Sequence, residues 1–247
     1  MKHTRFFAAT AIATLMATGA MALPVTIETV SGDWKDPQGG GFGNEIVNGD
    51  PTSTIRWPEA GLVGQLGQSG YDFTRVDVPF PAFPDTPFRI ATFEHINEIV
   101  RLGGGIDGVD LQMSFGGNVD GTPFSLSQLW HFDHDETPNF SPCPQPPGSA
   151  PVETVCDDFV TISQIGGPAS VTVAKGLERY TFRVRGFSED GGLTFTDLFQ
   201  SPENQNNQAG LYAEYNITVI PLPAAAWLLL GGLGALGMAG YRRRKAA

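Results

Sequence analysis

From Val25 onward the chain alternates. Val25-Thr26-Ile27-Glu28-Thr29-Val30 sets β-branched residues against polar ones at a period of two, the pattern of a strand with one buried face. Val109-Asp110-Leu111-Gln112-Met113-Ser114-Phe115 repeats it most cleanly, apolar at every odd position. The same rule predicts strands over Thr54 to Trp57, Ser69 to Phe73, Phe88 to Phe93, Phe124 to Phe132, Asp158 to Ile162, Ser170 to Val173, Tyr180 to Phe187 and Leu211 to Val219. Between them, Gly32 to Gly43 and Asn48-Gly49-Asp50-Pro51 read as turn-rich loops. Asp77 to Pro87 contains four prolines, so it is a loop or an edge segment. Ser201 to Gly210 reads as a polar loop at a hairpin tip. No helical period persists beyond about two turns anywhere in residues 23–220.

Short strands separated by turns, in a chain with 31 Gly and 19 Pro, predict an all-β domain, a single antiparallel β-sandwich or jelly roll over residues 23–219. Both ends of the chain read differently. Lys2, His3 and Arg5 precede an apolar stretch, Phe6 to Met16, and Ala20-Met21-Ala22 supplies a small-residue cleavage site, so residues 1–22 are expected to be a signal peptide.

At the other end, Ala224 to Gly240 holds 17 residues without a charge. A helix of that length reaches about 25 Å, enough to cross a bilayer if Trp227, Tyr241 and the following Arg side chains reach the interface. A transmembrane helix is therefore expected over 224–241. The basic tail Arg242-Arg243-Arg244-Lys245 would stop it and stay on the cytoplasmic side. Everything before the helix would lie outside the inner membrane.

This ending, Ile220-Pro221-Leu222-Pro223-Ala224-Ala225 followed by the apolar run and the Arg cluster, resembles the PEP-CTERM sorting signal in its VPLPA variant, with Ile220 where Val is usual. The resemblance implies that residues 220–247 are recognised by an exosortase-type transpeptidase, with cleavage near Pro221, Leu222, Pro223 and Ala224. The product would then reside in the cell envelope or outside the cell. A plain single-span anchor is the alternative.

Charge adds one constraint. Six of the 15 cations and none of the 26 carboxylates lie in the two end segments, which leaves 9 against 26 and a net charge of −17 for the exported part. A domain so acidic is not expected to bind nucleic acid or anionic lipid. Its two cysteines, Cys143 and Cys156, would meet an oxidising compartment, so a disulfide is expected, closing a Pro-rich loop for about 3 kcal/mol; an unpaired thiol is the alternative.

Two stretches carry candidate chemistry. Phe93-Glu94-His95-Ile96-Asn97 ends a strand, and His131 to Asn139 leads towards Cys143 and, past it, Cys156-Asp157-Asp158. His95, Asn97, the block Asp135-Glu136-Thr137-Pro138-Asn139 and the Cys156-Asp157-Asp158 segment resemble a family of exported PEP-CTERM proteins named for a Thr-His-x-Asn (THxN) motif. Trp34, Ile55-Arg56-Trp57 and Ser69 to Phe73 resemble its N-terminal part. Here Glu94 stands at the Thr position, Pro58 where Gly is usual, and Glu98-Ile99 where a Pro-Ile ending is usual. The family implies no established activity.

The residues themselves leave alternatives open. On a strand, His131 and Asp133 point to one face and His134 to the other. Asp133, Asp135, Asp157, Asp158 and the Asn139 carbonyl are candidate oxygen ligands for Ca²⁺ across the expected disulfide. The alternative is that Asp135, Thr137 and Asn139 form Asx and Ser/Thr turns. Zinc is disfavoured, since no H-E-x-x-H pattern occurs. His95 and Asn97 contact a glycan, transfer a proton, or tie a loop to a neighbouring strand.

No catalytic role is expected. There is no G-x-S-x-G elbow, no phosphate loop and no G-x-G-x-x-G directly after a strand, and a glycosidase carboxylate pair has no sequence support. Trp34, Trp57, Tyr71 and Trp130 serve as sandwich anchors or, if exposed, as sugar-stacking platforms. The function expected is that of a cell-surface or extracellular-matrix structural protein, associated with biofilm or exopolysaccharide, without catalytic activity. A polysaccharide- or calcium-binding module is the alternative, and a glycan-active enzyme comes third.

Overall fold

The computed structural model describes residues 25–41, 43–58, 67–98, 100, 104–137, 157–220, 228–229, 231–237 and 241. In chain order its strands are β1 (Val25–Gly39), β2 (Glu45–Val47), β3 (Thr52–Trp57), β4 (Ser69–Arg75), β5 (Phe80–Ala82), β6 (Phe88–Asn97) and β7 (Ile106–Val119). There follow β8 (Thr122–Asp135), β9 (Asp158–Ile165), β10 (Ser170–Lys175), β11 (Glu178–Ser188), β12 (Leu198–Ser201) and β13 (Gln205–Val219). They form two antiparallel sheets, one ordered β12-β9-β8-β7-β1-β5 and the other β10-β11-β13-β6-β4-β3-β2. The result is the expected all-β, sandwich-like architecture.

Alternation fills the space between the sheets. Leu111, Met113 and Phe115 of β7, Trp130 and Phe132 of β8, Phe93 of β6 and Phe182 of β11 all lie in one buried cluster. Aromatic rings interleave there: Phe93 lies 5.1–6.4 Å from the rings of Trp34, Tyr71, Phe132, Phe187 and Phe199. Farther along, Phe124 of one sheet stacks on Phe182 of the other at 3.8 Å. The β7–β8 hairpin turns on Asp120 and Gly121, both at positive φ, the two-residue geometry that matches strand twist.

Two loops expected from the sequence are strands. β1 runs on through Trp34 to Gly39, because it pairs with β7 from Ser31↔Ser114 to Lys35↔Asp110 and resumes after a register shift at Gln38. Gly32 permits this: a Cβ there would meet the Phe73 ring at 2.6 Å. Likewise β13 begins at Gln205, pairing with Asn97 of β6. Its first residues are polar because that face is exposed, where Asn206 and Gln208 donate to Glu94 at 2.9 and 3.0 Å. The proline-rich 77–87 stretch does contain an edge strand, β5. The Asn48 turn is also present, its side chain bonded to both the N–H and the C=O of Trp34.

The expected signal peptide (residues 1–22), Cys143 and Cys156 of the expected disulfide, Pro138, Asn139, the Pro221 to Ala224 stretch and Arg242 to Lys245 lie outside the described residues. Helix is present at 228–229, 231–237 and 241, with those residues exposed. Among the described residues no helix is long and apolar enough to cross a membrane.

Phe93 is fully buried at the centre of the aromatic interleaving. Phe93→Ala should lower the unfolding free energy by about 3–5 kcal/mol, measured by denaturant titration. A loss below about 1 kcal/mol would contradict this packing.

Candidate functional site

At one end of the sandwich the inner-face rows stop being apolar. β6 continues its buried phase from Phe93 to His95 and Asn97, and β8 continues its own from Trp130 and Phe132 to His134. β4 contributes Tyr71, paired directly with His95, and β3 contributes Trp57. Asp158 opens β9 on its buried face, Ser201 closes β12, and Glu203 follows in the turn. Period-two alternation thus delivers ionisable groups to the interior from both sheets.

The geometry is tight. Tyr71 Oη and His134 Nδ1 are 2.5 Å apart, a hydrogen bond that joins the two sheets. His134 Nε2 faces Glu136 Oε2 at 3.4 Å and Asp158 Oδ2 at 3.8 Å. Asp158 Oδ1 accepts from the Thr137 N–H at 2.9 Å and from its hydroxyl at 3.3 Å. His95 sits among rings, with centroids 5.0 Å from Tyr71, 5.3 Å from His134 and 6.2 Å from Trp57. His95 has 0% exposure, and neither of its ring nitrogens has a hydrogen-bond partner. Asp158 Oδ2 and Glu136 Oε1 are also buried without one.

Burial governs the protonation of this cluster. It pushes Asp158 up to about 7, helped by Glu136 and opposed by His134 and the Thr137 N–H. It pushes Glu136 up to about 7 as well, with Trp57 acting the other way. His95 is held well below its ordinary value by burial and then by the neighbouring His134. His134 is lowered by burial, although Asp158, Asp135, Asp107 and Asp133 pull it back. Tyr71 is raised well above 10, first by burial and then by Asp158 and Glu136.

The proposed calcium set does not assemble. Asp133 and Asp135 are on the exposed face of β8, since they alternate with Phe132 and His134, whereas Asp158 points inward from β9. Asp157 is half-buried and accepts a hydrogen bond from Gln200. His131 takes the outer face as expected, where its Nδ1 meets Asp110 Oδ1 at 2.7 Å. Asn97 ties β6 to β12, its amide donating to the Ser201 carbonyl at 2.8 Å. His95 has no such role. Thr137 bonds across the chain and not within its own block: its N–H and hydroxyl both donate to Asp158, 21 residues on.

Tyr71, His134, Asp158 and Glu203 were not united by sequence reasoning. One signal was available: His95 and His134 occupy the apolar phase of their strands, where an ionisable residue is out of place. Compared with known proteins, the chain matches no family model and no curated protein.

The raised Asp158 has a consequence for stability. Between about pH 4 and 7 the folded chain holds a proton on Asp158 that the unfolded chain releases, so this group's contribution falls as pH rises. Asp158→Asn removes that loss. In the presence of chelator, the stability of the variant relative to the parent should therefore rise between pH 5 and 8, by on the order of 2 kcal/mol in denaturant titrations. A constant difference, or one that widens against the variant, would mean that Asp158 is ionised and paired in the fold.

Proposed function

We propose that the chain is an exported, non-catalytic β-sandwich of the cell envelope or extracellular matrix, delivered there by a C-terminal sorting signal and structural in its role. The observation that carries this reading is where the chemistry faces. The sugar-stacking candidates Trp34, Trp57, Tyr71 and Trp130 are 1%, 0%, 0% and 4% exposed, and all four belong to the core. Asp158 and His95, the groups best placed for acid–base work, are 0% exposed. A polymer or glycan substrate would meet an outer surface, not these side chains.

The other parts of the proposal come from the sequence. Residues 1–22 would direct export. The tail from Ile220 would dock at the inner membrane through a helix over 224–241, with Arg242 to Lys245 on the cytoplasmic side, for an exosortase-type enzyme to process. The body resembles THxN-type PEP-CTERM proteins at His95, Asn97 and Asp135 to Asn139. The polysaccharide- or calcium-binding alternative has less support, since the aromatics are buried and the four aspartates do not converge. A glycan-active enzyme would need an accessible carboxylate pair, and Glu136 and Asp158 face the interior cluster.

Cell fractionation of the full chain and of a truncation ending at Val219 tests this directly. Full-length precursor should be found in the inner membrane, and the mature product outside it should lack Arg242 to Lys245 on C-terminal sequencing. The truncation should be exported but not retained. Extracellular product that keeps the arginine cluster, or a full chain found in the cytosol, would overturn the reading.

A further inference from the structure

The interior cluster is not explained by a structural role for polar side chains alone. A neutral imidazole carries one N–H and one lone pair, and His95 buries both without a partner. Leaving such groups buried and unsatisfied is destabilising, which is why folded proteins seldom do so. At His134 the difficulty is different. If its Nδ1–H donates to Tyr71 Oη, its Nε2 lone pair faces two carboxylates, Glu136 and Asp158. One ligand resolves both problems.

We propose that His95, His134 and Asp158, with Glu136 completing the set, bind one divalent metal ion of the zinc class that clamps the two sheets together. The facing donor atoms of His95, His134 and Asp158 all lie within 4.8 Å of one another. A tetrahedral ion with bonds of about 2.0–2.2 Å sets its ligands roughly 3.3–3.5 Å apart. His134 Nε2 and Glu136 Oε2 are at that separation, 3.4 Å, and His134 Nε2 and Asp158 Oδ2 are near it at 3.8 Å. For His95, His134 and Asp158, side-chain movements of about 1 Å bring donor atoms at most 4.8 Å apart to that spacing.

The donor set selects the ion. Two imidazoles with carboxylates suit Zn²⁺, Co²⁺ or Ni²⁺, whereas Ca²⁺ and Mg²⁺ take oxygen ligands. The outer shell is also in place. Tyr71 fixes the His134 ring through Nδ1, which leaves Nε2 as the ligating atom, and Thr137 holds Asp158 through Oδ1, which leaves Oδ2. Because His95 comes from β6 while His134 and Asp158 come from β8 and β9, the ion would tie one sheet to the other. Burial of every one of these three ligands makes the role structural.

The test uses the full chain without a histidine tag, stripped with chelator and then titrated with Zn²⁺ or Co²⁺. It should bind one ion per chain, and Co²⁺ should give the intense visible bands of a tetrahedral N/O site. Zn²⁺ at a hundred times its Kd should raise Tm by about 5–10 °C, and Ca²⁺ should not. His95→Gln should fold in chelator with an unchanged far-UV spectrum, weaken Zn²⁺ binding more than about a hundredfold and lose the Tm shift. His131→Ala, on the outer face, should bind as the parent does. The proposal is overturned by a parent protein that binds no Zn²⁺ or shows a six-coordinate Co²⁺ spectrum, by an equal shift with Ca²⁺, or by binding lost in His131→Ala. Should His95→Gln fail to fold, the stoichiometry and Co²⁺ spectrum of the parent decide the matter alone.

Discussion

Side chains on a strand alternate, and two facing sheets must fill the gap between them from every second residue of each. That constraint sets the core of this protein and also its most unusual feature. Along β6, β8 and β9 the inward phase runs through Phe93, Trp130, Phe132, Val160 and Ile162, and at one end of the sandwich the same phase presents His95, Asn97, His134 and Asp158. None of these can turn outward without a register slip that would expose the aromatic residues next to it. The polar cluster is therefore held in place by the packing of its apolar neighbours.

Within the cluster, desolvation outweighs pairing. Asp158 and Glu136 are raised to about 7 even though His134 is adjacent, which places them in a site that disfavours a bare negative charge. His95 is equally unsuited to a positive one. A set of neutral nitrogens and reluctant carboxylates is poorly solvated by protein alone and well matched to a dipositive ion, which supplies the missing charge without water. A clamp of this kind would suit a protein with an outer-surface role, since it stiffens the sandwich while leaving its exposed faces free for contact.

Much of the fold was legible from period-two alternation. The strand from Val109 to Phe115 was plain because its polar residues, Asp110, Gln112 and Ser114, all belong to the outer phase. The C-terminal half of β1 was hidden by Gly32, Gly39 and Pro37, which read locally as a turn and become strand only because β7 supplies a partner. The start of β13 was hidden because Gln205 to Gln208 are polar on both faces. The cluster was harder still. Its members stand at positions 57, 71, 95, 134, 136, 158 and 203, and no local pattern states which strands will be neighbours. Calcium was one candidate, on the idea that Asp133, Asp135, Asp157 and Asp158 converge across the cysteine loop, but alternation sends Asp133 and Asp135 outward. The histidines in the apolar phase were the better signal.

The most direct test of this account is anomalous diffraction at the zinc absorption edge from crystals of the zinc-loaded protein. It predicts one peak between β6, β8 and β9, about 2.0–2.2 Å from a His95 ring nitrogen, His134 Nε2 and Asp158 Oδ2. A cluster with no peak, or a peak only at His131 and Asp110 on the outer face, would contradict it.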